Sequence, residues 1–328
     1  MTMQAVLQTE PGGPETLHLG QTSRPQPAAG QLLVKVAAAG INRADLAQRA
    51  GNYPPPPGES NILGMEIAGR VVEVGTGVTQ FAVGDRVMGL VGGGGYAEYC
   101  LLQSQLAIPV PTGMDAVAAA SLPEAWMTTW FNLVDLGGLH AGQRVLIHAG
   151  ASGIGSAGIQ LCKSFGAWVA VTAGGPEKCA YCRDLGADMV IDYKQQDFAT
   201  ELKSAGGVDL ILDGVGGDYL PRNQACLNAD GQIILIGMLR GLSAEANMGL
   251  LLIKRQTLRG STLRPQPLAV KGRLAQALRD HVLPLIQAGK LRVTVAREFD
   301  WTQVADAHRY VAAGHNLGKV ILRVGADD

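Results

Sequence analysis

The sequence predicts an α/β protein in which a small β-barrel precedes a doubly wound parallel sheet. Up to residue 123, short apolar segments are separated by glycine and proline turns, a pattern typical of barrel strands. From residue 124 to residue 262, apolar strands alternate with helical segments, which favours a parallel sheet covered by helices. A last strand, Lys319–Arg323, follows two helical segments, so we expect residues 263–328 to return to the first domain.

The barrel strands are predicted from short apolar runs bounded by turn residues. They are Leu32–Val36, Ile67–Val74, Asp85–Met88 and Tyr96–Leu102. After the first of these strands, Pro54–Pro57 forms a stiff extended segment that holds the preceding Tyr53 in a fixed direction.

The second domain is predicted to open with a helix over Glu124–Leu136, and a further helix covers Glu177–Leu185. Its strands are Val145–Ile147, Trp168–Thr172, Met189–Ile191, Val208–Leu212 and Gln232–Ile236, with an edge strand expected within Leu250–Thr262. Helical spacing then returns in Lys271–Gln287 and Trp301–Ala313.

A glycine-rich turn follows the first strand of this sheet. Gly153-x-Gly155-x-x-Gly158 has the spacing of a dinucleotide-binding turn between a strand and a helix. In this interpretation Gly153 permits the turn, Gly155 lets the backbone approach a pyrophosphate, and Gly158 lets helix and strand pack closely. The helix N-terminus offers N–H groups and a positive dipole end to the phosphates. Ser152 and Ile154 flank the turn and are expected to make backbone contacts.

The choice of nucleotide follows from the residues after the second strand. NAD sites place a carboxylate there to bind the ribose hydroxyls, but this segment reads Thr172-Ala-Gly-Gly-Pro-Glu-Lys178. Lys178 lies within one helical turn, and Tyr193 and Lys194 end the third strand. A neutral-to-basic pocket of this kind suits a 2′-phosphate, so we predict NADPH. The alternative is that Lys178 is an ordinary solvated helix residue.

Composition narrows the function class. The chain has 328 residues and a formal net charge of −1, so no basic surface for nucleic acid is indicated. No leader and no apolar run of about 18 residues is found, so we expect a cytoplasmic protein without a membrane segment. The five cysteines form no disulfide-like pattern, and Cys179-x-x-Cys182 is placed mid-helix, where a redox or metal role is not favoured.

The order of motifs resembles the medium-chain dehydrogenase/reductase superfamily. Within it, the chain is most similar to the zinc-free, zeta-crystallin-like quinone oxidoreductases, and closest to the p53-inducible quinone oxidoreductase group. The motifs that carry this resemblance are Pro11–Glu15, Asn42–Leu46, Asn52–Gly58, Asn61–Glu66, Val83–Val87, Pro123–Trp126, Ile147–Gly150 and Leu185–Asp188. The resemblance implies a GroES-like barrel fused to a Rossmann domain, NADPH as cofactor, and quinones as small-molecule acceptors.

We predict no metal site. In the zinc-dependent branch, a cysteine, a histidine and a third ligand surround one catalytic ion. Here Asn42 stands at the position of the first ligand and Met65 replaces the histidine, while Cys100 has no partner cysteines nearby in sequence. His148 borders the glycine turn and is interpreted as a residue that either supports the site from behind its contacting residues or packs.

The resemblance also assigns site residues. Asn42 would donate its amide N–H to the acceptor oxygen and Tyr53 would donate a hydrogen bond or proton. The alternatives are purely structural: Asn42 caps the helix that starts at Arg43, and Tyr53 only packs against neighbouring residues. The residues expected at the cofactor are Thr128, Gly150, Ser152, Gly153, Ile154, Gly155, Gly174, Lys178, Tyr193, Gly237, Met238, Leu263 and Asn316. Thr128 is equally consistent with a structural helix threonine.

The expected activity is metal-free reduction of quinones by NADPH, by hydride or one-electron transfer. Two alternatives stay open: reduction of activated carbon–carbon double bonds in enones, enals or enoyl thioesters, and cofactor binding without turnover, as in crystallins. A long acyl thioester calls for a basic surface that binds its phosphates, whereas Arg240, Arg255, Arg259 and Arg264 are interpreted as scattered surface charges. The resemblance further implies a homodimer or homotetramer that pairs through the sheet edge.

Overall fold

The computed structural model describes residues 1–325 and divides them into two compact units. The first unit comprises residues 1–127 together with the described residues from Arg264 onward, and the second unit comprises Thr128–Leu263. The sequence placed these two boundaries after residues 123 and 262. Residues 326–328, the end of the predicted return segment, lie outside the described residues.

The first part of the first unit is built mainly from strands. In chain order its elements are β1 (Thr2–Gln8), β2 (Leu17–Ser23), β3 (Gln31–Ile41), α1 (Arg43–Arg49), β4 (Glu66–Val74), β5 (Arg86–Leu90), β6 (Tyr99–Gln103), β7 (Ile108–Pro109), α2 (Ala116–Ala120) and α3 (Pro123–Thr129). The predicted helix Glu124–Leu136 is therefore α-helical only at its start, because Trp130–Leu136 continues as a π-helix.

The second unit alternates strands and helices. Its elements are β8 (Arg144–Ile147), α4 (Gly153–Ser164), β9 (Trp168–Ala173), α5 (Pro176–Asp184), β10 (Met189–Asp192), α6 (Phe198–Ser204), β11 (Val208–Asp213), α7 (Tyr219–Cys226), β12 (Leu227–Leu235), α8 (Met248–Ile253) and β13 (Thr257–Gly260). The predicted edge strand within Leu250–Thr262 is thus only four residues long and follows a short helix.

The chain then returns to the first unit through α9 (Leu268–Ala277), a π-helical turn Leu278–Val282, α10 (Leu283–Gln287), β14 (Val295–Asp300), α11 (Val304–Ala312) and β15 (Lys319–Arg323). The last strand has the predicted bounds. The predicted helix Lys271–Gln287 begins three residues earlier and is interrupted by the π-helical turn.

The first-unit sheet has the strand order β14-β15-β3-β4-β5-β7, and β6 also pairs with β3. β15 runs antiparallel to β3, with Val320 opposite Ile41, and β3 runs antiparallel to β4, with Ala39 opposite Ile67. The final strand therefore lies beside residues from the start of the chain, as the return segment predicted. Apolar side chains such as Val34, Ile67 and Leu322 are fully buried between these elements.

The second-unit sheet is parallel throughout, in the order β10-β9-β8-β11-β12-β13. The chain starts at β8 in the middle, builds outward through β9 and β10, and then crosses to β11 on the other side. Strand order reverses between β8 and β11, and ligands of doubly wound sheets bind at the carboxyl edge beside such a reversal. The predicted α/β fold, with its doubly wound sheet, is confirmed.

Candidate functional site

The glycine turn lies at the carboxyl end of β8, beside the reversal point. Ser152 is the N-cap of α4, and its Oγ accepts a hydrogen bond of 3.0 Å from the N–H of Gly155. A Cβ atom on Gly155 would lie 2.5 Å from the carbonyl oxygens of both Ala149 and Gly150. No side chain fits there, so only glycine lets the turn pack this closely against the start of α4, whose N–H groups suit a ligand phosphate. These residues fit a dinucleotide pyrophosphate.

One predicted role within this turn is wrong. Gly153 is the first residue of α4 and does not have a positive φ, whereas Ala149 has a φ of 55°. The left-handed residue that reverses the chain is therefore an alanine, four positions earlier. The packing role of Gly158 agrees with its surroundings, because a Cβ atom there would lie 2.6 Å from Cδ1 of Ile147 on β8.

The region predicted to select the nucleotide lies at the ends of β9 and β10. A Cβ atom on Gly174 would lie 2.6 Å from the hydroxyl oxygen of Tyr193, so these two predicted residues are brought together. Lys178 lies half-buried on α5. Asp192, which precedes Tyr193 at the end of the third strand and was given no role from the sequence, accepts 3.1 Å hydrogen bonds at Oδ1 from the N–H groups of Gly175 and Lys194. A carboxylate is therefore present at this edge, but it is held by backbone donors.

The remaining predicted cofactor residues belong to different segments of the chain. Gly237 follows β12, and a Cβ atom on it would lie 2.8 Å from the carbonyl oxygen of Gly214, which follows β11. Met238 is 49% exposed, whereas Thr128 and Leu263 are buried. Asn316 belongs to the first unit, where its side chain donates a 2.8 Å hydrogen bond to the carbonyl of Gly318 in its own loop.

Thr129, the neighbour of the predicted Thr128, contacts the glycine turn. It is fully buried, and its Oγ1 donates a 3.4 Å hydrogen bond to the carbonyl of Ile154. Two adjacent threonines point to different sides of a helix, and sequence alone does not show which side faces the turn.

His148 belongs to a buried polar network rather than to a metal site. Its Nδ1 lies 3.0 Å from Oγ1 of Thr172, and its Nε2 lies 2.8 Å from Oδ1 of Asn223. Asn223 in turn donates a 2.9 Å hydrogen bond to Asp213. Burial lowers the pKa of His148, so the ring stays neutral and ties the ends of β8, β9 and β11 to helix α7.

In the first unit, Asn42 lies at the N-cap position of α1, directly after β3. Its backbone N–H donates a 2.7 Å hydrogen bond to Asp45, which satisfies one donor at the helix start. Its side-chain Nδ2 donates a 2.9 Å hydrogen bond to Glu66, and its Oδ1 accepts a 2.5 Å hydrogen bond from Lys319. We call Asn42, Asp45, Glu66 and Lys319 the Asn42 cluster.

The Asn42 cluster is a buried group of charges. Glu66 and Asp45 are fully buried, Lys319 is 4% exposed, and Lys319 forms an ion pair with Glu66. Burial raises the pKa of Asp45 to about 6, although hydrogen bonds from the N–H groups of Asn42 and Gly64 act in the opposite direction. The sequence identified Asn42 but not the charged partners that hold it.

Tyr53 is half-buried, and burial raises the pKa of its hydroxyl, with the charge of Glu124 acting in the same direction. The phenol therefore keeps its proton at neutral pH and remains a hydrogen-bond donor. Arg264 lies 5.4 Å from the centre of its ring.

Arg264 itself is not a surface charge, contrary to the prediction. It is only 7% exposed, and its guanidinium donates a 2.9 Å hydrogen bond to Gly92 and a 2.8 Å hydrogen bond to Gln48. The guanidinium also contacts the carbonyl of Tyr53 at 3.4 Å, so it joins the Tyr53 loop to two neighbouring segments. Sequence patterns do not reveal such a buried arginine, because its acceptors lie far away in the chain.

The cysteine thiols are not arranged for chemistry. All five are free and buried, and burial raises the pKa of Cys100, Cys162, Cys182 and Cys226 to about 12 and also raises that of Cys179. In residues 1–325, no group of three or more histidine, cysteine, aspartate and glutamate side chains is arranged to hold a metal ion. Within the same range, no helix is both long and apolar enough to cross a lipid bilayer.

Two families match parts of the chain. Residues 28–112 match the alcohol dehydrogenase GroES-like domain, and residues 185–322 match zinc-binding dehydrogenases. Among curated proteins, a mycocerosic acid synthase-like polyketide synthase of Mycobacterium tuberculosis is 32% identical over 322 residues, or 96% of this chain. The chain spans only 15% of the length of that relative.

Solved structures match nearly the whole chain. Mycobacterial Rv1454c, complexed with NADPH, is 30% identical, with a TM-score of 0.87 over 98% of this chain and 100% of that one. A quinone oxidoreductase of Pseudomonas syringae pv. Tomato DC3000 is 28% identical, with a TM-score of 0.87 over 98% and 100% of the two chains. CurK enoyl reductase is 27% identical, with a TM-score of 0.84 over 98% and 99%.

These matches agree with the fold described above, a GroES-like domain joined to a Rossmann-type parallel sheet. They extend over nearly the entire chain rather than over one unit. The chain therefore belongs to the medium-chain dehydrogenase/reductase superfamily of oxidoreductases.

Proposed function

We propose that this protein is an NADPH-dependent reductase that transfers electrons to quinones without a metal ion. The observation that supports it most directly is the glycine turn, where Gly155 packs against the carbonyl oxygens of Ala149 and Gly150 at the start of α4, as in a turn that binds a pyrophosphate. The similar Rv1454c structure contains NADPH, and the similar Pseudomonas syringae protein is a quinone oxidoreductase. We place the chain in the zinc-free, zeta-crystallin-like branch of the superfamily.

NADPH, when bound, supplies a hydride, and one proton from solvent completes the reduction of a quinone to a hydroquinone. The glycine turn of the second unit would hold the cofactor, and Gly174, Lys178 and Tyr193 would bind its 2′-phosphate. The first unit supplies neutral donors, the amide of Asn42 and the hydroxyl of Tyr53, to the two acceptor oxygens, where negative charge develops. The raised pKa of Tyr53 keeps its proton in place for this role.

The metal-free character rests on the donor set around Asn42. An amide replaces a strong metal ligand, and the nearby carboxylate of Glu66 is already paired with the ammonium of Lys319. Zinc sites of dehydrogenases use cysteine thiolates and neutral histidines. The match to zinc-binding dehydrogenases concerns the family as a whole, and the described residues around Asn42 do not fit a zinc ion.

Reduction of activated carbon–carbon double bonds is the second candidate. It is supported by the similarity to CurK enoyl reductase and to a mycocerosic acid synthase-like polyketide synthase. Against it, the arginines considered for thioester phosphates are mostly engaged. Arg240 pairs with Asp218 and Arg255 pairs with Asp230, while Arg264 is buried among uncharged acceptors.

We also propose that the protein forms a homodimer or homotetramer. All four residues of β13 are exposed, and the nearby Leu252 and Ile253 are 79% and 76% exposed. An exposed edge strand next to apolar side chains favours pairing with a second copy. A monomeric mass in solution would contradict this.

The function is tested by measuring NADPH oxidation by the purified protein with four acceptors: an ortho-quinone, a para-quinone, an enone and an enoyl thioester. We expect the highest kcat/KM with a quinone. A higher kcat/KM with the enone or the enoyl thioester would overturn the quinone proposal in favour of double-bond reduction. NADPH binding without oxidation by any acceptor would leave only a binding protein.

A further inference from the structure

A lysine far along the chain reaches the side chain of Asn42. Lys319 is 4% exposed, and its ammonium donates a 2.5 Å hydrogen bond to Oδ1 of Asn42 and forms an ion pair with Glu66. Glu66 accepts a 2.9 Å hydrogen bond from Nδ2 of Asn42. The three side chains therefore form a closed triangle of hydrogen bonds.

The strand pairing builds this triangle. Val320 on β15 lies opposite Ile41 on β3, which places the preceding Lys319 beside the following Asn42. β4 pairs with β3 on its other side and brings Glu66 next to Gly40. A Cβ atom on Gly40 would lie 2.1 Å from a carboxylate oxygen of Glu66, so only glycine leaves room for that carboxylate.

The chemistry of the two charged partners allows only one orientation of the Asn42 amide. An ammonium group only donates hydrogen bonds, and an ionised carboxylate only accepts them. The amide oxygen must therefore face Lys319 and the amide nitrogen must face Glu66. The flipped amide would direct N–H groups at the ammonium and its oxygen at the carboxylate, both of which are repulsive.

In this orientation, one of the two side-chain N–H groups of Asn42 has no partner among Lys319 and Glu66. Nδ2 carries two hydrogens, and the hydrogen bond to Glu66 uses one of them. Asn42 is half-buried rather than fully buried, so part of this residue is accessible to solvent. Lys319 thus determines that the free group of Asn42 is a donor and not an acceptor.

We infer that Lys319 is a positioning residue that fixes the orientation of the Asn42 carboxamide, so that an N–H group is presented to the acceptor oxygen. This inference rests on the proposed function, in which Asn42 donates to the acceptor. Glu66 provides the second half of the same restraint, and its other oxygen accepts a 2.8 Å hydrogen bond from the N–H of Glu124 at the start of α3.

The test compares three variants with the wild type. Lys319→Met removes the ammonium, Lys319→Met combined with Glu66→Gln also removes the carboxylate left unpaired, and Lys319→Arg keeps a purely donating cation. Lys290→Met, at an exposed lysine, is the matched control. For each protein, thermal unfolding, the NADPH dissociation constant, and kcat and KM for a quinone are measured.

We expect kcat to fall roughly tenfold in Lys319→Met and in the double variant, with an unchanged NADPH dissociation constant, as for loss of one charge-assisted hydrogen bond. Lys319→Arg should recover most of that loss. If Lys319→Met does not fold, the result rests on the double variant, in which residue 66 no longer carries an unpaired carboxylate. A kcat within about twofold of wild type in the folded double variant overturns the inference.

A second measurement does not depend on activity. In cofactor-free protein, NMR of the Asn42 side-chain amide, assigned by its loss in Asn42→Ala, should show one hydrogen shifted by the Glu66 carboxylate. The Lys319→Met spectrum should lose that pattern, and an unchanged pattern would overturn the inference. If Asn42→Ala itself retains full kcat, the proposed donor role of Asn42 fails instead, which separates the two proposals.

Discussion

The glycine turn of the second unit and the Asn42 cluster of the first unit are built in opposite ways. The glycine turn is made from backbone atoms of one short segment. Its key residue is Gly155, because the turn leaves no room for a side chain there. The Asn42 cluster is made from buried charged side chains on two strands and a helix, which surround the amide of Asn42 at the helix start. The first region depends on local conformation, whereas the second depends on the strand register of the whole sheet.

This difference predicts different sensitivities. An added side-chain atom should disrupt the glycine turn, whereas an added or removed charge should destabilise the surroundings of the Asn42 cluster. The proposed difference between the two regions would be wrong if the glycine turn proved sensitive to charge and the surroundings of the Asn42 cluster proved sensitive to shape.

The largest effect is expected for Gly155→Ala. The added Cβ atom would lie 2.5 Å from two carbonyl oxygens, so the turn must shift away from its phosphate-binding geometry. Overpacking of this kind costs about 3 kcal/mol, which corresponds to an NADPH dissociation constant about a hundredfold higher. Gly272→Ala on α9 is the matched control, because its Cβ atom would meet only ordinary contacts at 3.7 Å. Calorimetric titration measures both variants, and equal affinities would contradict the assigned role of Gly155.

The next effect concerns charge in the first unit, at His308. This histidine is fully buried, and its Nδ1 lies 3.2 Å from the guanidinium of Arg49. Burial, with a further contribution from the charge of Arg49, lowers the pKa of His308 to about 3. The unfolded chain takes up a proton near pH 6.5 but the folded protein does not, so this residue lowers stability progressively as the pH falls from about 6.5 to about 3.

Relative to His308→Gln, the wild type should therefore lose about 2 kcal/mol of unfolding free energy between pH 7 and pH 5. Asp45 acts in the opposite direction, because its raised pKa lets the folded protein bind a proton first as the pH falls below about 6. Asp45 is present in both proteins, so its effect cancels in the difference. Urea unfolding at the two pH values measures this difference, and equal pH dependence of the two proteins would contradict a buried neutral His308.

The smallest of these effects is expected for Lys178→Ala. This variant tests a side chain on α5, in the unit that contains the glycine turn. Loss of one charge-assisted hydrogen bond to the 2′-phosphate should raise the NADPH dissociation constant about tenfold. The NADH dissociation constant should stay unchanged, since NADH has no 2′-phosphate. Lys203→Ala, at an exposed lysine on α6, is the matched control. An unchanged ratio of NADPH to NADH affinity would remove Lys178 from the site.

The difference between the two regions also explains which parts of the site the sequence can predict. The glycine turn was predictable because its strand, turn and helix lie within one continuous segment, although the positive φ falls on Ala149 rather than on Gly153. Asn42 was predicted through a family motif, but its partners Glu66 and Lys319 lie 24 and 277 residues away. Their meeting depends on strand register, which no local pattern encodes. The prediction for Arg264 was wrong for the same reason, since its acceptors, on helix α1 and in the loop after β5, lie far away in the chain.

The central claim is that this protein reduces a quinone with NADPH and no metal ion. The most direct measurement is quinone-dependent NADPH oxidation by protein whose metal content has been determined, before and after exhaustive chelation and after addition of zinc. We expect the same turnover in all three samples, with less than stoichiometric metal in the purified and the chelated protein. Stoichiometric zinc in the purified protein, with turnover lost on chelation and restored by zinc, would contradict it.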